Sequence, residues 1–306
     1  MDNQFNKAKG FGEILDQTFR LSKSNFSVFF LIFLILQGPF ILLEALVQLA
    51  YGTSLFQAGE TGAPWYERMI SGLGIDEIGV EDDLTVLARD AWVSFIAIIS
   101  YILYPIAQAA IIIGVLQIKN QRTFTTGILL KGAFSRFGPV IGSSIIYYLI
   151  GVAIFVVPFF LLLVFGVISI AVADNVITIL LFILSIIALV VFVFYFLLRW
   201  YLYLPFVVVE KDFPGIGKSW NITKGHGWRI FGLFAVIFII MLMVATAVEF
   251  TLSFFFGYSV FTTVIASVVA LFVNMVTAVA LAVIFFDLKV RNHGEDLQMM
   301  MDDYKS

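Results

Sequence analysis

Charged side chains inside long apolar stretches are the first candidates for chemistry in this chain. Glu44 and Glu249 lie near the ends of such stretches, Asp287 ends another, and Arg199 lies well inside a fourth. A charge within a membrane span is costly, so it commonly marks a solute pathway, an ion pair or a lipid contact. We expect the three carboxylates either to reach water or headgroups, or to line a polar transport cavity. Under the cavity hypothesis, Glu44 and Glu249 share one outward-facing site.

Three roles fit the position of Arg199. Its long side chain can reach the headgroups, it can pair with Glu210 or Asp287, or it can hold a lipid phosphate. The last role suits a guanidinium because its planar donors match phosphate oxygens bidentately. The uncharged polar residues of the apolar stretches are expected to hydrogen-bond between helices. They are Gln37, Gln48, Gln108 and Asn274.

A segment at about 214–228 is both basic and aromatic, and it separates two apolar runs. Trp rings favour the headgroup level of a membrane. Each Lys or Arg near an anionic surface contributes about 1 kcal/mol of attraction. The segment is therefore predicted to lie in the membrane surface and to hold anionic headgroups. The candidate lipid-binding residues are Arg199, Lys218, Trp220, Lys224, Trp228 and Arg229.

The sequence offers little for catalysis or metal binding. The chain has no Cys, and its only imidazoles are His226 and His293, which are too few for a His-based metal centre. Its glycines lack the strand-to-helix setting and the Lys-Ser/Thr ending of a phosphate-binding loop. We therefore expect no catalytic residues, no metal ligands and no cofactor, and thus a protein that is not an enzyme.

The composition is that of a polytopic membrane protein. Hydrophobic residues make up 61% of the 306, and charged residues only 13%, whereas soluble domains are about 25% charged. An all-α fold with six transmembrane helices in one integral membrane domain, 1–290, is predicted, followed by a polar cytoplasmic tail at 291–306. The polar start of the chain predicts no cleavable signal peptide. The predicted spans are about 26–49, 91–117, 140–172, 176–208, 230–252 and 260–286, each long enough for a bilayer.

The distribution of basic residues predicts the orientation of these spans. Of the 18 Lys and Arg, all but Arg68 and Arg89 fall in segments that alternate to one side. Cytoplasmic segments carry the excess of positive charge, so both termini are predicted to be cytoplasmic. The large loop at 50–90, rich in Asp and Glu, is then extracytoplasmic. The predicted location is a cell membrane.

Three segments are predicted to form interfacial amphipathic helices. The first is 8–25, the second lies in 119–139, and the third is 214–228; they contain Gly12, Gly127 and Gly215, each with an aromatic residue several positions later. Each precedes an apolar run, so the chain predicts a threefold repeat of one interfacial helix followed by a membrane hairpin. Such repeats often place a site at the repeat interface.

Two blocks of sequence resemble a known family of membrane proteins. GEILDQTFRLSKSNF at Gly12–Phe26 and LPFVVVEKDFPGIGKSWNITKGHGWRIFG at Leu204–Gly232 are similar to the membrane domain of glycerophosphoryl diester phosphodiesterase, found in Gram-positive bacteria. The resemblance implies a location in a bacterial cell membrane and a membrane anchor of the kind that accompanies a separate catalytic barrel. The sequence contains no soluble stretch of barrel length, so we expect the membrane architecture and not the phosphodiesterase activity.

Two hypotheses of function follow. The first is a non-enzymatic integral membrane protein that organises anionic lipid or a partner protein at the cytoplasmic leaflet. The alternative is a transporter or permease subunit of an export or self-protection system, with a separate membrane or ATPase subunit as partner. No nucleic-acid partner is expected. The basic aromatic segment favours the first hypothesis, and the intramembrane carboxylates favour the second.

Overall fold

A computed structural model describes residues 5, 8–56, 84–172, 176–257 and 259–303. These residues form helices and no strand, and six of the helices are long and apolar enough to cross a membrane. The prediction of an all-α membrane protein with six spans is therefore confirmed. Residues 57–83, which hold most of the predicted acidic loop, lie outside the described residues.

Long helices correspond to the predicted spans, and three short helices correspond to the predicted interfacial segments. The long helices are α2 (Phe26–Ala50), α3 (Leu84–Lys119), α5 (Phe137–Val172), α6 (Val176–Tyr201), α8 (Gly227–Phe256) and α9 (Val260–Asp303). The short helices are α1 (Phe11–Ser24), α4 (Thr126–Phe134) and α7 (Ile216–Ile222). Each short helix is followed by two long ones, in the order the repeat requires. Whether these three groups are structural repeats stays a prediction.

Several helix ends differ from the predicted span ends. Helix α3 begins at Leu84, inside the stretch predicted as loop, and α9 runs to Asp303, through most of the predicted tail. Hydropathy marks only the apolar part of a helix, whereas backbone hydrogen bonds continue beyond it. The fourth span also departs from one regular helix. After Tyr201 come a short helical turn, Tyr203–Pro205, and a π-helical turn, Phe206–Glu210.

The short helix α1 is amphipathic and buries one of its faces. Its buried residues, among them Ile14, Thr18 and Leu21, recur at helical spacing on one face. Glu13, in its first turn, is exposed. The shorter α4 is capped by Thr125, whose side chain accepts a hydrogen bond from the Ile128 backbone at 3.4 Å.

The chain divides into two compact units. The first unit comprises Met1–Phe11, Arg136–Ala235 and Ile284–Ser306. In it α5 packs on α6, and α7 packs against α6. The turn into α7 requires Gly215, which has φ 75° and whose added Cβ would lie 2.6 Å from the Tyr203 carbonyl oxygen. Arg136 donates to the carbonyl of the buried Val207 at 3.0 Å and so satisfies one carbonyl of the π-helical turn.

The second unit comprises Gly12–Ser135 and Val236–Val283. Here α2 and α3 pack antiparallel, since Phe29 lies against Gly114 near one end and Gln37 bonds Ser100 further along. Gln37 donates to the Ser100 carbonyl at 3.0 Å and accepts from its hydroxyl. This pair confirms the expected interhelical bond of Gln37. The end of α2 and the start of α3 therefore lie at the same end of the unit.

The loop that leaves α2 is fastened to the start of α9 in the second unit. The Ser54 and Leu55 carbonyls accept from the Val260 and Phe261 backbone at 3.1 and 3.2 Å. Phe56 adds ring contacts with Phe261, at 5.1 Å between centroids. These bonds bring the end of α2 beside the turn between α8 and α9, and so define the rim of the site described below.

Candidate functional site

In the first unit, Asp287 is the centre of a buried ion-pair network. It is 6% exposed and lies 2.8 Å from the Arg291 Nε and 3.6 Å from the Arg229 Nη2. It also accepts a hydrogen bond at 2.7 Å from the Lys9 backbone N–H. Both guanidinium groups donate to the Lys9 carbonyl. Asp287 is therefore buried, and each of its carboxylate oxygens is paired with a protein group.

A second carboxylate of this unit links α7 to α9. Glu210 lies 2.7 Å from the Lys289 ammonium and 3.6 Å from that of Lys218. Lys218 also lies 3.5 Å from Asp212. The ammonium of Lys218, one of the predicted lipid contacts, is thus partly neutralised by two internal carboxylates.

Arg199 finds neither of the carboxylate partners considered from the sequence. Its guanidinium carbon lies 3.6 Å from the ring centroid of Trp220, in a cation–π contact. It donates to the Thr223 hydroxyl at 3.2 Å and to the Trp220 carbonyl at 3.3 Å. Within the described ranges Arg199 makes no salt bridge, and its donors tie α6 to α7.

Three of the candidate lipid contacts remain exposed, namely Trp228, Lys224 and Lys218, and of these Lys218 lies beside internal carboxylates. Trp228 is 68% exposed and makes ring contacts with Tyr195 and Phe231, 5.0 and 5.7 Å away. Lys224 is exposed in the turn that follows α7. By contrast, Arg229 is bound to Asp287 and Lys9. The structure therefore brings the six predicted residues into one neighbourhood, but it engages five of them, all except Lys224, in the internal contacts described above.

The second unit contains a polar cavity of about 460 Å³. Glu44 of α2 and Glu249 of α8 both line it, so the two carboxylates placed together by hypothesis share one site. Glu44 is half-buried and Glu249 is exposed. The cavity lies at the end of the unit where α2 ends and α3 begins. The full lining is Glu44, Gln48, Arg89, Asp90, Val93, Glu249, Ser253, Thr262, Thr263, Ala266, Ser267 and Ala270.

The charges of the lining are unbalanced. Arg89 lies 3.0 Å from Asp90, so these two neutralise each other at the start of α3. Glu44 and Glu249 make no salt bridge among the described residues. When all four groups are ionised, the cavity therefore carries an excess of negative charge, which favours a cation.

Sequence reasoning missed seven of the polar lining residues, among them Arg89, Asp90 and Gln48. Arg89 and Asp90 were assigned to the loop at 50–90, because the apolar stretch begins only after them. Gln48 was expected to bond another helix, but it donates instead to Glu44, one turn earlier in α2, at 3.3 Å. Its four-residue spacing from Glu44 is the sequence signal that places both side chains on one face.

No family model matches the chain, and neither the curated proteins nor the solved structures contain a match. The resemblance to the membrane domain of glycerophosphoryl diester phosphodiesterase therefore stays a prediction. The candidate site depends on the geometry of the described residues alone.

Substituting Asp287 tests the ion-pair network. Asp287→Asn should lower the free energy of unfolding by about 3–5 kcal/mol, since two arginines lose their buried partner. Thermal unfolding in detergent measures the loss, and limited proteolysis should cut the chain near Lys9 sooner. Asp212→Asn is the matched control, because Asp212 is more exposed and should contribute little. Equal stability of the two variants would contradict this role for Asp287.

Proposed function

We propose that this membrane protein acts as a transporter or permease component that takes a solute into the cavity of the second unit. The observation that carries the proposal is the shared cavity of Glu44 and Glu249, two carboxylates from separate apolar helices. Carboxylates within spans typically serve solute or ion pathways, because their cost is otherwise hard to offset. Residues from α2, α3, α8 and α9 build the site, so relative movement of these helices would change access to it.

The predicted orientation gives the direction of access. With cytoplasmic termini, the end of α2 and the start of α3 face outward, so the cavity receives solute from the extracytoplasmic side. A permease must also expose the cavity to the cytoplasm in turn. An ATP-driven form would need a separate subunit, as expected from the sequence.

The chain has no Cys, so single cysteines report access to the cavity without background. Ser253→Cys should react in spheroplasts with a membrane-impermeant methanethiosulfonate. Relative to a free thiol in solution, the ratio of the rates of the cationic trimethylammonium form and the anionic sulfonate form should be about tenfold higher, because the cavity concentrates cations. Replacing both Glu44 and Glu249 with Gln should return this ratio to that of the free thiol. Thr246→Cys, exposed on α8 but outside the cavity, is the control and should react slowly.

Inverted vesicles separate transport from simple binding. A transporter presents Ser253→Cys to both sides of the membrane in turn, so labelling is expected in spheroplasts and in inverted vesicles. Labelling from the outside alone would contradict transport.

A second candidate function is organisation of anionic lipid by the segment around α7. The exposure of Trp228 beside Lys224 favours it, since a Trp ring and an ammonium suit the headgroup level. The internal pairing of Lys218 and Arg229 leaves less free charge for lipid than the sequence indicates.

Native mass spectrometry in anionic and zwitterionic lipid tests this second function. Lys224→Gln combined with Trp228→Ala should reduce the number of retained anionic lipids. Lys218→Gln should change retention less, because internal carboxylates already neutralise this ammonium. If lipid retention is the same in all three proteins, the segment does not bind lipid.

A further inference from the structure

Gln48 gives the cavity a buried acceptor that no described residue satisfies. The residue is 4% exposed and lines the cavity together with Glu44 and Glu249. Its Nε2 donates to the Glu44 Oε1 at 3.3 Å. Its Oε1 accepts no hydrogen bond from the described part of the chain. A buried acceptor without a donor costs about 1–3 kcal/mol, so a ligand with a donor would recover this energy.

The charge of the lining selects among donor-bearing ligands. Glu44 and Glu249 add negative charge that no described cation balances, whereas Asp90 is paired with Arg89. An anion would be repelled, and a neutral polyol would leave the carboxylates uncompensated. A cation with N–H groups meets both needs, because charge-assisted hydrogen bonds to carboxylates are roughly twice as strong as neutral ones.

The size and chemistry of the walls indicate an organic ion rather than a metal. The volume of about 460 Å³ lies within the range of small-molecule pockets, about 300–1,000 Å³. Val93, Ala266 and Ala270 supply apolar wall for a carbon skeleton. In the described ranges, no group of three or more His, Asp or Glu is arranged to hold a metal ion.

We propose that the cavity binds a small organic cation with N–H donors, held by the Glu44 and Glu249 carboxylates and by the Gln48 amide oxygen. This inference rests on the proposed function, since it names the class of solute that enters the same cavity. The Arg89–Asp90 pair then lies beside the ligand and leaves the two glutamates to bind it. The hydroxyls of Ser253, Thr262, Thr263 and Ser267 provide further polar contacts along the wall.

The direct test is protection of a cavity cysteine by a defined amine. Ser267→Cys protein in proteoliposomes is treated with N-ethylmaleimide, which is neutral, with and without butane-1,4-diamine. The diamine should slow labelling saturably, by about tenfold at ten times its dissociation constant. Butane-1,4-diol, which has the same carbon skeleton and no charge, should not protect. Protection by the diol equal to that by the diamine would overturn the proposal.

Two further probes test the N–H donors and the organic skeleton. Tetramethylammonium carries the charge without an N–H group and should protect more weakly than the diamine. Calcium chloride supplies a bare divalent cation and should not replace the diamine. Equal protection by tetramethylammonium, or protection by calcium without protection by the diamine, would overturn the assigned ligand class. Absence of protection by every probe would overturn it as well.

Gln48 has a matched control elsewhere in the chain. Gln48→Leu should raise the dissociation constant of the diamine about tenfold, the effect of losing one buried acceptor. Gln117 also has a buried Oε1 without a partner among the described residues, but it does not line the cavity. Gln117→Leu should therefore leave the dissociation constant of the diamine unchanged. Gln48→Met serves if the leucine variant is not monodisperse. Unchanged affinity in a well-folded Gln48 variant contradicts its role.

Measuring uptake as well as protection distinguishes failure of the proposed ligand class from failure of the proposed transport function. Radiolabelled diamine uptake is measured in the same proteoliposomes. Protection without uptake supports the binding site and contradicts a permease that works without a separate subunit. Access of Ser253→Cys from both sides without protection by the diamine supports the transporter and contradicts the organic cation.

Discussion

A charged side chain inside an apolar helix must find a partner or a polar cavity, and this constraint governs both units. The cost of an unpaired charge in a membrane is several kcal/mol. Asp287 satisfies this constraint by pairing with Arg229 and Arg291, so protein groups surround its carboxylate. Glu44 and Glu249 meet it by lining a cavity in the second unit. The ion pairs of Asp287 stabilise the fold, whereas the cavity leaves the negative charge of Glu44 and Glu249 accessible to a ligand.

The ion pairs of the first unit fix segments that are far apart in the chain. Asp287 and its arginines bind the backbone of Lys9, so the start of the chain is tied to α8 and α9. Arg199 ties α6 to α7 through its contact with Trp220. Most of the cationic side chains that the sequence predicts to bind lipid therefore make contacts within the protein. Trp228, Lys224 and Lys218 remain exposed, and Lys218 is partly neutralised by Glu210 and Asp212, so the surface for lipid is smaller than the basic composition of the segment indicates.

Much of the fold could be predicted from the sequence, because apolar length and helical periodicity determine where a membrane helix can form. The depth of Glu44 and Glu249 in their spans also indicated where a cavity could lie. Tertiary partners were less predictable: the contact of Arg199 with Trp220 depends on how α7 packs, and Arg89 joined the site because α3 begins before its apolar stretch. The prediction that Gln48 bonds another helix was wrong, because its partner is Glu44 in the same helix. Helical periodicity indicates the face on which a side chain lies but does not identify its partner.

Glu44 and Glu249 line the same cavity, and cross-linking tests this arrangement most directly. Glu44→Cys and Glu249→Cys are combined in the cysteine-free chain and treated with bis-methanethiosulfonates of increasing length. Mass spectrometry should show one reagent joining both thiols within one chain. Gln37→Cys with Ser100→Cys, whose native side chains are hydrogen-bonded, is the positive control. Linkage of the control pair with no linkage of the glutamate pair at any length would contradict the shared cavity.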